Sequence, residues 1–136
     1  MRTFLLVLSF FIITGCTSAK VNSTLKDVES YISERPDSAL SVLESIDRAD
    51  LKGRRSKAHH ALLHAMALDK NYIDVTDDSL ASIAVRYYQK HGPKKYLARS
   101  LYYKGLSYYY NKEYDKSIIE LSKAEPIAST SDSLYL

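Results

Sequence analysis

Tryptophan is absent from this chain of 136 residues, cysteine occurs once, and there are only four glycines and three prolines. Each scarcity removes a class of chemistry. One cysteine cannot close a disulfide within the chain. The glycines, at positions 15, 53, 92 and 105, are isolated, so no glycine-rich loop exists to cradle a phosphate. No serine sits in a G-x-S-x-G elbow. No stretch alternates apolar and polar residues long enough to read as a strand. The net charge is +3 and is spread along the chain, which is no electrostatic footprint for nucleic acid. Catalysis, phosphate binding and nucleic-acid binding are thereby set aside, and no cofactor is implied.

The longest apolar run, Phe4 to Ile13, is broken only by Ser9 and falls short of the roughly 20 residues that span a bilayer. Placed behind Met1-Arg2-Thr3, it has the layout of a secretory signal peptide. It runs into Ile13-Thr14-Gly15-Cys16, a branched apolar residue and two small ones before a cysteine. This stretch resembles the lipobox of bacterial lipoproteins. The resemblance implies cleavage before Cys16 and acylation of Cys16, with enough acyl chain for stable anchoring. Thr17-Ser18-Ala19-Lys20 carries neither a retention aspartate nor an acidic run, so the implied address is the periplasmic face of an outer membrane. The chain then divides into a signal peptide (1–15), a lipidated cysteine with a polar tether (16–23) and a folded domain (24–136). All three phenylalanines fall in the leader, which makes tyrosine, with twelve copies, the only aromatic of the domain.

Beyond the tether the apolar residues recur at helical spacing. The stripes are Leu25, Val28, Ile32; Leu40, Leu43, Ile46; and Ala58, Leu62, Ala65, Leu68. They continue as Leu80, Ile83, Ala84, Tyr87; Leu97, Leu101, Gly105, Tyr108; and Tyr114, Ile118, Leu121. Pro36-Asp37-Ser38 suits the first turn of a helix. Thr76-Asp77-Asp78-Ser79 offers capping oxygens, and Lys90-His91-Gly92-Pro93 reads as a helix stop. The expectation is an all-α fold of six helices in three antiparallel pairs.

Helix pairs at similar intervals point to an internal repeat. In the last pair, ARSLYYKGLSYYYNKEYDKSIIELSKA from Ala98 to Ala124, the pattern resembles one tetratricopeptide (TPR) unit of roughly 34 residues. The matching positions are Leu101, Gly105, Tyr108, Tyr114, Leu121 and Ala124. Lys104 and Lys112 depart from it, the latter at the turn glycine. With the lipobox, the layout is similar to that of bacterial TPR lipoproteins. The resemblance implies a helical-hairpin solenoid in which Tyr108 and Tyr114 pack in the core, each burial contributing about 2 kcal/mol. It also implies that Arg99, Tyr102, Leu106, Tyr109 and Tyr110 face a concave groove for a protein or peptide. Packing against a neighbouring repeat is the alternative for those five.

Three clusters invite chemistry and mostly fail to support it. His60 and His64 are one turn apart, but no glutamate follows His60 as in H-E-x-x-H and no third ligand is evident, so no metal is expected. Asp74, Asp77 and Asp78 lack the glycine and distal glutamate of a calcium loop. Lys52, Arg54, Arg55 and Lys57 surround Gly53 as a basic turn, either solvated or facing an acidic partner or lipid headgroup.

One repeat period past Leu101 falls on Tyr135, yet the sequence halts at Leu136. The resemblance therefore implies a longer array or an open C-terminal repeat face that could pair with a second copy. The expected function is a lipid-anchored interaction module without catalysis. A sensor arm of a longer signalling protein and a glycan-binding lipoprotein are the alternatives.

Overall fold

The computed structural model describes residues 18–130. The lipobox, Cys16, Tyr135 and Leu136 lie outside the described residues. Among those described there are helices and no strand. The helices are α1 (18–31), α2 (Pro36–Ser45), α3 (Gly53–Lys70), α4 (Ser79–Tyr88), α5 (Lys94–Tyr110) and α6 (Tyr114–Thr130), with a short 3-10 turn at Arg48–Asp50. Residues 18–23, read from sequence as tether, are helical, and Val21 is buried in the core. Their polar side chains suggested a linker, but one apolar residue in register with Leu25 and Val28 suffices to extend the helix's buried stripe.

Specific contacts fix the helix directions. Asn22 on α1 bonds Ser56 on α3, and Glu29 bonds His59, so these two helices run alike. His60 meets the Leu43 carbonyl and Asn71 the Pro36 carbonyl, which sets α2 antiparallel to α3. The Tyr110 hydroxyl reaches Asp69, aligning the ends of α3 and α5. α4 packs on both α3 and α5, and α6 packs on α5 and shares a small cluster with Val85 of α4 through Ala124. Each helix thus lies against the next in sequence, and alternate ones point the same way.

One core unites α1 to α4 around Leu25, Val28, Leu43, Leu62, Leu63 and Tyr88, with Tyr96, Leu97 and Tyr103 of α5 against it. Leu25, Leu43, Leu62 and Leu63 are wholly buried, each contributing about 2 kcal/mol. A smaller cluster of Val85, Leu101 and Ala124, flanked by Leu97 and Ile127, joins α4, α5 and α6. Buried alanines at 58, 61, 65 and 67 of α3 and at 81 and 84 of α4 let neighbouring helices approach closely.

The stripes are displaced in two helices. In α4 the buried residues are Ala81, Ala84, Val85 and Tyr88, while Ile83 is exposed. In α6, Ser117, Glu120 and Ala124 point inward, and Tyr114 and Ile118 are exposed at 53% and 63%. Tyr114 is therefore not a packing residue. The stripe of large apolar residues points to Tyr114 and Ile118 as the inner face, but α6 meets α5 at Gly105 through Ser117 and Leu121, which turns those two outward. Leu101 and Ala124 are buried, and Leu121 fills the space over Gly105, whereas Tyr108 is only half-buried and lies outside both core clusters.

Two turns share one geometry. After α3, Tyr72 adopts φ 59°, with its N–H donating to the Asp69 carbonyl and that of Ile73 to Leu68. After α5, Lys112 adopts φ 63°, with its N–H donating to Tyr109 and that of Glu113 to Tyr108. This is the paired bond pattern that normally carries glycine at the left-handed position. Neither residue is glycine: the repeat resemblance places the turn at Lys112, and nothing in the sequence announces the one at Tyr72. At the start of α4, Asp77 accepts from the Ser79 N–H at 2.6 Å, and Asp78 accepts from Ser82 and from the Tyr108 hydroxyl at 2.9 Å. Burial and that carboxylate push the Tyr108 hydroxyl up to about 12.

Candidate interaction surface

α5 supplies all five residues that the sequence placed on a groove, and they meet different fates. Arg99 is turned to α1, its guanidinium 3.6 Å from Glu29 and only 19% exposed. The same carboxylate takes His59 of α3 and the Tyr96 hydroxyl of α5, both at 3.0 Å. Burial pushes the Glu29 carboxyl up, but the hydrogen bonds from His59 and Tyr96, with the attraction of His59 and Lys95, outweigh it. The net position is below the ordinary carboxylate value. Arg99 is thus an internal tie among three helices, not a free groove cation.

Leu106 and Tyr110 line a shallow cleft over the α3–α4 connection with Ala65, Asp69, Val75 and Leu80. Tyr110 donates to Asp69 at 3.4 Å. Tyr102 is half-buried, its ring 5.1 Å from that of Tyr103. Burial first, and the Asp69 charge second, raise the hydroxyls of Tyr102, Tyr103 and Tyr110 above the ordinary phenol value.

Tyr109 is different. It is 54% exposed, and its ring stands 5.7 Å from Tyr114 across the α5–α6 turn. With Ile118 one turn along α6, these side chains form an apolar patch open to solvent. Sequence reasoning identified both tyrosines but assigned Tyr114 to the interior. The signal available was the neighbouring stripe of small residues, Ser117 and Ala124, on α6.

The histidines are interhelical. His60 Nε2 donates to the Leu43 carbonyl at 2.9 Å, and His64 Nε2 lies 4.0 Å from Glu44. Their rings meet edge-on at 5.6 Å. Burial lowers both below the ordinary imidazole value, aided by Arg48 and by their neighbouring histidines, against the raising effects of Leu43 on one and Glu44 on the other. Among the described residues no three His, Cys, Asp or Glu side chains converge as a metal site.

A pH dependence follows. With folded values below 6.5, the unfolded chain takes up protons first on acidification. Stability is constant above about pH 7 and falls as the pH drops through 6.5 toward the folded values. His60→Gln, whose amide can still reach Leu43, is expected to flatten that slope. Urea midpoints measured from pH 7.5 to 5 check this, and unchanged slopes in the variant would refute it.

Among the described residues no helix is long and apolar enough to cross a membrane. Comparison with protein-family models, curated proteins and solved structures finds no match for the chain.

Proposed function

We propose that this chain is a lipid-anchored, periplasmic helical-repeat module of the TPR kind, which holds a protein partner and carries no chemistry of its own. The observation that carries the reading is the exposed patch of Tyr109, Tyr114 and Ile118 on the last hairpin. Large apolar side chains at the end of a helix stack, beside half-buried Tyr102, are suited to anchoring a partner segment. The alternation of helix directions and the packing of α3 on α5 support a hairpin stack. The lipobox resemblance at Ile13, Thr14, Gly15 and Cys16 supports the anchor.

Two tests separate these parts. Cys16→Ser is expected to move the protein from the membrane to the soluble fraction, and firm attachment of the variant would remove the anchor from the proposal. A photo-crosslinking residue at Tyr109 or Ile118 is expected to give one discrete adduct in cells, with none from Ile83, exposed at 41% on α4. Indistinguishable patterns at all three sites would defeat the binding surface. An adduct of twice the chain mass would identify the partner as a second copy.

A further inference from the structure

Charge is distributed unevenly from one end of the helix stack to the other. α1, α3 and α5 begin where α2, α4 and α6 finish, so connections distant in sequence share an end. At that end Arg48 and Lys52 lead into α3, whose first turns expose Arg54, Arg55 and Lys57. The α4–α5 connection adds Lys90, Lys94 and Lys95 beside them. Tyr88 and Tyr96 both feel the charge of Arg55, and their rings lie 5.1 Å apart, which binds the two groups into one surface. Acids here are fewer than the bases: Glu44 at the end of α2, Asp47, which caps the 3-10 turn, Asp50, Glu125, and the half-buried Glu29, which is engaged by His59, Tyr96 and Arg99. None of the cations on the two connections or in the first turns of α3 has a carboxylate within 4.0 Å among the described residues.

The opposite end is acidic. It gathers Glu34 and Asp37 about the α1–α2 connection, Asp69, Asp74, Asp77 and Asp78 about the α3–α4 connection, and Glu113 and Asp115 about the α5–α6 turn, against the fewer cations Arg35, Lys70, Lys112 and Lys116. Basic residues in the first turns of α3 and α5 work against the helix dipole, which favours acids there, and neither helix has one. Folding alone does not account for that placement.

α1 opens at the basic end too, with exposed Lys20 in its first described turn. Cys16 precedes residue 18 by two positions, so at most about 7 Å of chain separates them. That is within the roughly 8 Å over which surface charges act at physiological salt. We propose that the basic end of the stack sits on an anionic phospholipid surface, with Arg54, Arg55, Lys57, Lys90 and Lys94 at the headgroups and the acidic end directed away. The Tyr109–Ile118 patch, beside the acidic end, then faces the aqueous space where a partner can reach it. This deepens the function proposed above and rests on its Cys16 anchor.

The experiment reconstitutes the full chain, purified from the membranes of the cells that make it, into phosphatidylcholine vesicles with or without phosphatidylglycerol. Flotation reports attachment, and lysine acetylation read by mass spectrometry reports orientation. Flotation on both compositions is expected, with Lys57 and Lys90 labelled severalfold more slowly than Lys112 only on the anionic vesicles. High salt should erase the difference. Arg54→Glu with Lys94→Glu should erase it as well, since each charge near such a surface changes association about fivefold. Both sites are exposed and glutamate suits a first helical turn, so the variant should melt no earlier than the parent. Flotation on both with equal labelling overturns the docking and leaves the anchor standing. Flotation on anionic vesicles alone supports the docking and refutes the anchor. Flotation on neither overturns both.

Discussion

Gly105→Ala is expected to destabilise the protein by about 2 kcal/mol, although alanine is the better helix former by about 1 kcal/mol. A Cβ built at Gly105 would lie 2.7 Å from Leu121 Cγ and 2.8 Å from its Cδ2, with the Ser117 carbonyl oxygen at 3.3 Å. Contacts that short force either Leu121 off its rotamer or α6 off α5, and overpacking of this kind costs about 1–3 kcal/mol. The contact with Ser117 is with backbone, so rotating Leu121 away cannot relieve all of it. Leu121→Ala alone should also destabilise, because Leu121 is half-buried over Gly105. The double variant should be more stable than the sum of the two losses predicts, since alanine at 121 makes room for the new methyl. Denaturant midpoints of the four proteins give that coupling directly. A Gly105→Ala protein as stable as the parent, or more so, would mean that the two helices separate at little cost.

Glu29→Ala is expected to cost about 2 kcal/mol through three helices at once. Its carboxylate is 20% exposed and receives His59, Tyr96 and Arg99. Truncation leaves those donors facing a gap, and the loss of a hydrogen-bonded charge partner outweighs the modest value of the pair itself. Glu29→Gln, which keeps one acceptor oxygen and the shape, should lose roughly half as much. The sign with pH is set by the lowered carboxyl value. For such a group the contribution is complete above its ordinary 4.5 and disappears as the pH falls through the folded value. Acid titration of stability in the parent and in Glu29→Ala should therefore show full separation above pH 4.5 and convergence as the pH falls through the folded value. Parallel curves across the whole range would show that Glu29 carries no linked proton.

The helical character and most helix limits were legible because they rest on local features. Pro36 opens α2, Asp77 caps the start of α4, and Gly92-Pro93 separates α4 from α5 at a φ of 78°. Leu25, Val28, Leu43 and Leu62 were recognisable as core for the same reason, a sustained period on one side of a helix. What escaped was relational. Which side of α6 is inside depends on how near α5 comes at Gly105, and that distance is a property of two segments together. The tie from Arg99 to Glu29 spans 70 positions and joins residues that no spacing rule connects. The left-handed turn at Tyr72 was invisible because the residue that advertises such a turn is missing, whereas the one at Lys112 was placed only by the resemblance of its surroundings to a repeat.

The division of the interior into a large and a small cluster has a dynamic consequence. α1 to α4 share one large core with part of α5, whereas α6 is held mainly by the small cluster at Leu101 and Ala124. Local opening free energies follow such contact density, so amide protons of α6 should exchange by detachment of that helix while those of α3 await global unfolding. The exposed Tyr114 and Ile118 ride on α6. A partner gripping them would be registered as slowed exchange along that helix before any change reached the interior of the stack.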